Sequence, residues 1–277
     1  MPFEQRTGAA DWSGWSARPD RPDAPTLLLL HGTGGARHSW APVLAALRPD
    51  IRVIAPDLPG HGDTRCTAHS RHGLDDMAED LLGLLAAQGV GRVDLVAGHS
   101  AGAAVAIWLA LKAPQALHIR QVLGIAPSLV PPPPLYTLML GPLLAPLVGS
   151  GLSVHAAAGL ARSTPMVERL IDSTGSQIAP EQRRTYRELL GDPQRLKGAI
   201  DFMTATDLPG LLDRLPGLQT PCHFLVADDD RWIPAPALTR IIERYLPRAS
   251  VHHCDGGHLT PESRPQAVAS LIESLIA

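Results

Sequence analysis

Val93-Asp94-Leu95-Val96-Ala97-Gly98-His99-Ser100-Ala101-Gly102 reads as a buried strand running straight into a G-x-S-x-G turn, and the helix-spaced segment Ala101–Lys112 follows. Strand, sharp turn and helix in that order push the central serine out of the top of a sheet, the arrangement called a nucleophile elbow. The flanking glycines leave room where the backbones of strand and helix approach each other. The five-residue pattern alone is weak; its place between a strand and a helix makes Ser100 the candidate nucleophile.

Outward from this turn, short apolar runs without alternation recur at Thr26–Leu30, Ile51–Ala55, Val93–Ala97, Gln121–Ile125 and Cys222–Val226. Each is too short for a helix and fits a strand buried on both faces of a parallel sheet. Helix-spaced segments lie between them at Trp40–Leu47, Leu74–Gln88, Ala101–Lys112 and Ala235–Leu246, and a last one runs from about Arg264 to Ile276. The alternation predicts an α/β fold, a mostly parallel central sheet flanked by helices. It breaks after Ile125, where Pro131–Pro134 opens a long stretch of helical pattern that includes Thr164–Ser173, Pro180–Leu190 and Pro193–Thr204. Residues 1–127 and 208–277 are therefore expected to form one core, and residues 128–207 a helical cap inserted after the sixth strand.

A serine hydroxyl is a poor nucleophile at neutral pH, so the elbow calls for a histidine base and an acid, in the chain order Ser, acid, His. His258 qualifies as the base, because it follows the β-like segment Ser250–His253 and precedes the final helix. The acid belongs in the loop after Cys222–Val226, where Asp228-Asp229-Asp230 offers three candidates. The oxyanion formed on acyl attack needs preorganised donors, and the expected ones are the backbone N–H groups of Ala101 and of Thr33 in His31-Gly32-Thr33-Gly34-Gly35. That loop does not end in Gly-Lys-Ser/Thr, which excludes a phosphate cradle. His31 and His61 sit in Gly-rich turns; one of His252 and His253 is expected to be buried and hydrogen-bonded in a strand.

With 277 residues, 45% of them hydrophobic, the chain can bury one sizeable core. A net charge of −3 and scattered basic residues exclude the positive stripe that nucleic acid requires. Cys66, Cys222 and Cys254 are odd in number and lack C-x-x-C spacing, which favours reduced thiols over a disulfide framework or a zinc site. The histidines bring no ligand set either, so no metal is expected. Met1 to Asp20 has neither the basic start nor the apolar run of a signal peptide, and a cytoplasmic location is expected. The apolar stretch Leu135–Val148 is broken by Gly141, Pro142 and Pro146 and is too short to span a bilayer, though it is compatible with peripheral contact.

Taken together, His31-Gly32-Thr33-Gly34-Gly35, Ala55-Pro56-Asp57-Leu58-Pro59-Gly60-His61-Gly62, the elbow, Asp230-Arg231-Trp232-Ile233-Pro234 and Gly257-His258 resemble the α/β-hydrolase superfamily over nearly the whole chain. Asp230, four residues before Pro234, matches the superfamily's acid loop and is preferred on that ground; Asp228 is the competing assignment. Within the superfamily the chain most resembles the magnesium-chelatase accessory proteins of bacteriochlorophyll biosynthesis. The resemblance is carried by His38-Ser39-Trp40 after the first glycine loop, by Ala103-Ala104 after the elbow, and by Ser173-Thr174-Gly175-Ser176 and Leu190-Gly191-Asp192-Pro193 in the cap. It implies a role near magnesium insertion into protoporphyrin, with magnesium chelatase subunits as partners at the photosynthetic membrane, and no cofactor. Ala227 departs from the usual glycine, and Met1–Arg21 does not align.

Three readings follow. In the first, a serine hydrolase cleaves a carboxylic ester or related acyl bond in an apolar, cap-covered pocket, with Trp232 and Met139 as candidate wall residues. In the second, a non-catalytic accessory holds a tetrapyrrole for the chelatase. In the third, the chain is a generic carboxylesterase or C–C bond hydrolase. Serine at the elbow argues against epoxide hydrolase or haloalkane dehalogenase chemistry, where the resemblance implies an aspartate nucleophile.

Overall fold

The computed structural model describes residues 1–8, 10–19, 21, 23–66, 72–113, 117–130 and 151–277, with backbone alone at 151 and 152. Its strands are β1 (Pro2–Arg6), β2 (Ala10–Ala17), β3 (Thr26–Leu30), β4 (Arg52–Pro56), β5 (Leu95–His99), β6 (Val122–Ile125), β7 (Cys222–Ala227) and β8 (Ser250–Cys254). They lie side by side in the order β1-β2-β4-β3-β5-β6-β7-β8, and the two-residue strand Arg65–Cys66 pairs with β2 outside this row. Every pairing from β4 through β8 is parallel. The run Thr26–Leu30 is buried at all five positions, as a strand covered by helices on both faces must be.

The helices are α1 (Ala41–Ala46), α2 (Leu74–Ala87), α3 (Ala101–Lys112), α4 (Gly151–Ser163), α5 (Met166–Ser173), α6 (Pro180–Leu190), α7 (Pro193–Ala205), α8 (Leu208–Arg214), α9 (Ala235–Tyr245), α10 (Thr260–Ser263) and α11 (Pro265–Leu275). One face of the sheet packs against apolar residues of α2, α3 and α9, among them Leu81, Ile107 and Ile242. The other face packs against Trp40, Val43, Val268 and Ile272. Between β6 and β7 stand α4 to α8. Helices α4 to α7 contribute to two smaller apolar clusters, while Phe202 of α7 and Leu211 of α8 join the main core. Among the described residues, no helix is long and apolar enough to cross a membrane.

The structure departs from the sequence expectation in four places. The strand expected at Val93–Ala97 starts at Leu95, because Arg92–Val93 pairs instead with His118–Ile119. Asp94, at the break, accepts a hydrogen bond from the Thr26 N–H at 2.9 Å and ties the two ladders together. The N-terminal segment, to which the sequence reading assigned no element, forms the antiparallel hairpin β1–β2 and extends the sheet beside β4. Its signal was the period-two alternation that buries Ala10, Trp12 and Gly14. Helix α4 was not anticipated, and the segment expected over Thr164–Ser173 begins only at Met166, after Pro165. Met139 and the apolar stretch Leu135–Val148 lie outside the described residues.

Candidate active site

The parallel strands all end on one edge of the sheet, where ligands and catalytic groups collect in open α/β folds. From that edge β3 sends out the His31–Gly35 loop, β5 Ser100, β6 Ser128, β7 Asp230 and β8 His258. Ser100 sits at φ 54° and ψ −119°, a region that non-glycine residues occupy only when the surroundings enforce it. The enforcement is visible. A Cβ on Gly98 would lie 2.3 Å from the Gly102 carbonyl oxygen, and one on Gly102 would lie 2.4 Å from the carbonyl oxygens of Leu30 and His31. The two glycines of the motif are thus demanded by contact between strand, helix and the end of β3.

Ser100 Oγ lies 2.8 Å from His258 Nε2, and His258 Nδ1 lies 2.8 Å from Asp230 Oδ2. A carboxylate can only accept, so Nδ1 carries the ring proton and Nε2 is left to accept from the serine hydroxyl. All three side chains are buried, with residue exposures of 8% for Ser100, 3% for His258 and 6% for Asp230. Asp230 Oδ1 accepts from the N–H groups of Trp232 and Ile233, each at 2.8 Å, which fixes the carboxylate plane. The two neighbouring aspartates are occupied elsewhere. Asp228 binds His253 Nδ1 at 2.8 Å and Asp229 accepts from the Gly256 N–H at 3.2 Å. His253 is therefore hydrogen-bonded but exposed, whereas His252 is half-buried with no partner on Nε2 among the described residues. The expectation of one buried, hydrogen-bonded strand histidine joined two properties that this pair divides.

The His31–Gly35 loop is fixed by its own histidine. His31 Nε2 accepts from the Leu58 N–H at 2.9 Å, so its Nδ1 donates to the Gly32 carbonyl at 2.9 Å. Burial lowers its pKa to about 4 and keeps it neutral. The backbone N–H groups of Thr33 and Ala101 have no acceptor among the described residues. They are the donors expected for an oxyanion.

Several residues at the site have no role assigned from the sequence, Trp232 excepted, which was a candidate wall residue. His99, the variable position of the elbow, donates from Nε2 to the His258 carbonyl at 2.8 Å, and burial pushes its pKa down to about 3. Thr174, Gly175 and Ser176 brace the loops that carry Asp230 and His258. The Thr174 carbonyl accepts from the His258 N–H at 3.1 Å, and Ser176 Oγ accepts from the Leu259 N–H at 2.8 Å. Leu259 itself packs into the cluster of Ala161, Val167 and Ile171. Trp232 stacks beside His258 with ring centroids 5.3 Å apart, and its Nε1 donates to Ser173 Oγ at 3.1 Å. The remaining newcomer is Ser128, whose Oγ lies 3.0 Å from Ser100 Oγ. His99 lies within the elbow motif, whereas Ser128, three residues beyond the end of β6, carries no local signal in the sequence.

The pattern of the Alpha/beta hydrolase family matches residues 27–271. The Magnesium-chelatase 30 kDa subunit of Rhodobacter capsulatus is 34% identical, the alignment covering 97% of this chain and 92% of that one. The Pimeloyl-[acyl-carrier protein] methyl ester esterase of Aeromonas hydrophila is 27% identical over 91% of this chain and 95% of the relative. Among solved structures, the enol-lactonase from Burkholderia xenovorans LB400 superposes with a TM-score of 0.75 at 19% identity, covering 99% of each chain. Strand order, elbow and end-to-end similarity agree: the chain belongs to the α/β-hydrolase family.

Proposed function

We propose that the protein is a serine hydrolase that cleaves a carboxylic ester or related acyl bond, with Ser100 as nucleophile, His258 as general base and Asp230 as its orienting acid. The hydrogen-bonded line from Ser100 through His258 to Asp230 carries this reading. Ser100 attacks the acyl carbon while its proton passes to His258 Nε2, and Asp230 stabilises the imidazolium that results. The N–H groups of Thr33 and Ala101 receive the oxyanion. His258 then protonates the departing group, and water releases the acyl chain from Ser100. The helices inserted between β6 and β7 act as the cap over this centre, with Trp232 as part of the pocket wall.

The similarity to the Magnesium-chelatase 30 kDa subunit favours an acyl substrate associated with bacteriochlorophyll biosynthesis, at the protoporphyrin step. It also supports a second reading, in which the pocket holds a porphyrin for magnesium chelatase, at or beside the photosynthetic membrane, and the triad is inherited scaffolding.

One experiment separates the two. The purified protein is treated with a serine-reactive phosphonate, with and without protoporphyrin, with Ser100→Ala as control. Labelling of Ser100 that porphyrin slows is the result expected for a hydrolase with a tetrapyrrole-accepting pocket. Labelling indifferent to porphyrin would favour a general esterase. Porphyrin binding by a folded protein that takes no label would overturn the hydrolase and leave the accessory.

A further inference from the structure

Ser128 holds Ser100 at two points. Its Oγ is 3.0 Å from Ser100 Oγ, and its backbone N–H donates to the Ser100 carbonyl at 3.1 Å. The chain is bent to bring it there: Ala126 adopts φ 43°, and Ser100 and Ala126 are the two non-glycine residues of positive φ among those described. Such conformations persist where the surrounding structure over-determines them, and they gather at functional sites. Both strained residues flank this one contact.

The Ser100 hydroxyl has a single proton, and His258 Nε2 accepts it. The hydrogen between the two serines therefore belongs to Ser128, which donates to Ser100 Oγ. In the sheet β5 lies between β3 and β6. The Thr33 loop leaves from β3 and Ser128 from the β6 side, so the Ser128 hydroxyl stands across the nucleophile from the donors assigned to the oxyanion.

We propose that Ser128 is a catalytic hydroxyl that positions the leaving alcohol during acylation and the attacking water during deacylation; the proposal rests on Ser100 being the nucleophile. As the Ser100 Oγ–acyl bond forms and the ester C–O bond breaks, the serine proton passes through Nε2 to the alcohol oxygen. Ser100 Oγ, now an ester oxygen, accepts hydrogen bonds poorly, and the Ser128 O–H turns to the departing alcohol. Water then takes the same position. One of its hydrogens goes to Nε2 and the other is held by Ser128 Oγ, while its oxygen bonds to the acyl carbon. The Oγ–acyl bond breaks, and Nε2 returns the proton to Ser100.

The test is stopped-flow hydrolysis of p-nitrophenyl butyrate by the full chain as wild type, Ser128→Ala, Ser128→Thr and Ser100→Ala. In Ser128→Ala, release of the acyl group is expected to slow by about 10- to 100-fold, while acylation by this ester, whose nitrophenolate departs without help from a hydroxyl, changes by less than about threefold, so that a nitrophenol burst emerges. Ser128→Thr, which keeps the hydroxyl, is expected to restore the slow step. Added methanol should shift the ratio of methyl ester to acid in Ser128→Ala relative to wild type. Equal loss in both steps, or an unchanged deacylation rate, would overturn the role of Ser128 and leave Ser100 untouched. If Ser100→Ala still hydrolyses the ester, or wild type forms no acyl-enzyme, the nucleophile reading itself fails and this one with it.

Discussion

The backbone N–H of His258 donates to the carbonyl of Thr174 at 3.1 Å, so the imidazole that faces Ser100 hangs from a residue of the inserted segment. The same carbonyl also receives the Arg231 N–H at 3.4 Å, and the acid loop is thereby tied to the base loop through one atom.

Ser176→Ala removes the Oγ that accepts from Leu259 and leaves a buried N–H unpaired. The expected cost is about 1–3 kcal/mol of folding stability, read by urea unfolding. Because Leu259 adjoins the base, kcat toward simple esters should fall more than KM rises.

Gly175 has φ +80°, and a Cβ there would lie 2.5 Å from the Asp229 carbonyl oxygen. Gly175→Ala meets the left-handed penalty of about 1–2 kcal/mol and must also push the acid loop away. A lower melting temperature is expected, with a loss of kcat that exceeds the loss in Ser176→Ala.

Asp230→Asn keeps the size of the side chain but no longer enforces the proton on Nδ1. In the assigned role, kcat/KM falls by about 10³- to 10⁴-fold with folding retained, the behaviour of other triads that lose the acid. Asp228→Asn touches only the exposed His253 and should leave activity within about twofold of wild type. Equal losses in the two variants would remove Asp230 from its role.

Stability should fall steeply in acid. Burial lowers His31 to about 4, and His61 and His99 to about 3. Each is neutral in the fold, whereas the unfolded chain takes up its proton near 6.5. Their contribution is thus complete above pH 6.5 and is lost as the pH falls, at up to about 4 kcal/mol per pH unit for the three together. Glu262 acts in the opposite sense. Burial raises it to about 7, so stability is lost as the pH rises from the unfolded value through 7. Urea unfolding between pH 4 and 8 should show a net loss in acid, since three groups outweigh one. Glu262→Gln, which keeps an acceptor for the Tyr186 hydroxyl, should gain on wild type progressively as the pH rises from 5, reaching on the order of 3 kcal/mol by pH 8.

What could be read from the chain beforehand divides along physical lines. Buried parallel strands declare themselves because both faces must be apolar, and Thr26–Leu30 and Cys222–Ala227 fall where the apolar runs are. Ser100 and His258 could be named because the turn and the order of the loops constrain them, Asp230 was singled out of its three-aspartate loop by the superfamily resemblance, and the three meet. The hairpin β1–β2 lacks the continuous apolar run of the buried parallel strands, and the alternation of β2 is its one local sign. Ser128 and the Thr174–Ser176 brace act by hydrogen bonds between segments far apart in sequence, which no local pattern encodes. The cap resemblance had already marked Thr174-Gly175-Ser176; what it marked is a support for the base.

The strained turn at Ser100 also bears on how the molecule comes to be active. Its N–H is held by the Ile125 carbonyl at 2.9 Å and its carbonyl by the Ser128 N–H, both contributed by β6 and the residues just beyond it. Until β6 docks beside β5, these two hydrogen bonds that hold the serine in its unfavourable backbone geometry are missing. Reactivity of this hydroxyl is therefore a late readout of refolding, one that reports the closing of the sheet around β5 rather than the formation of the helices.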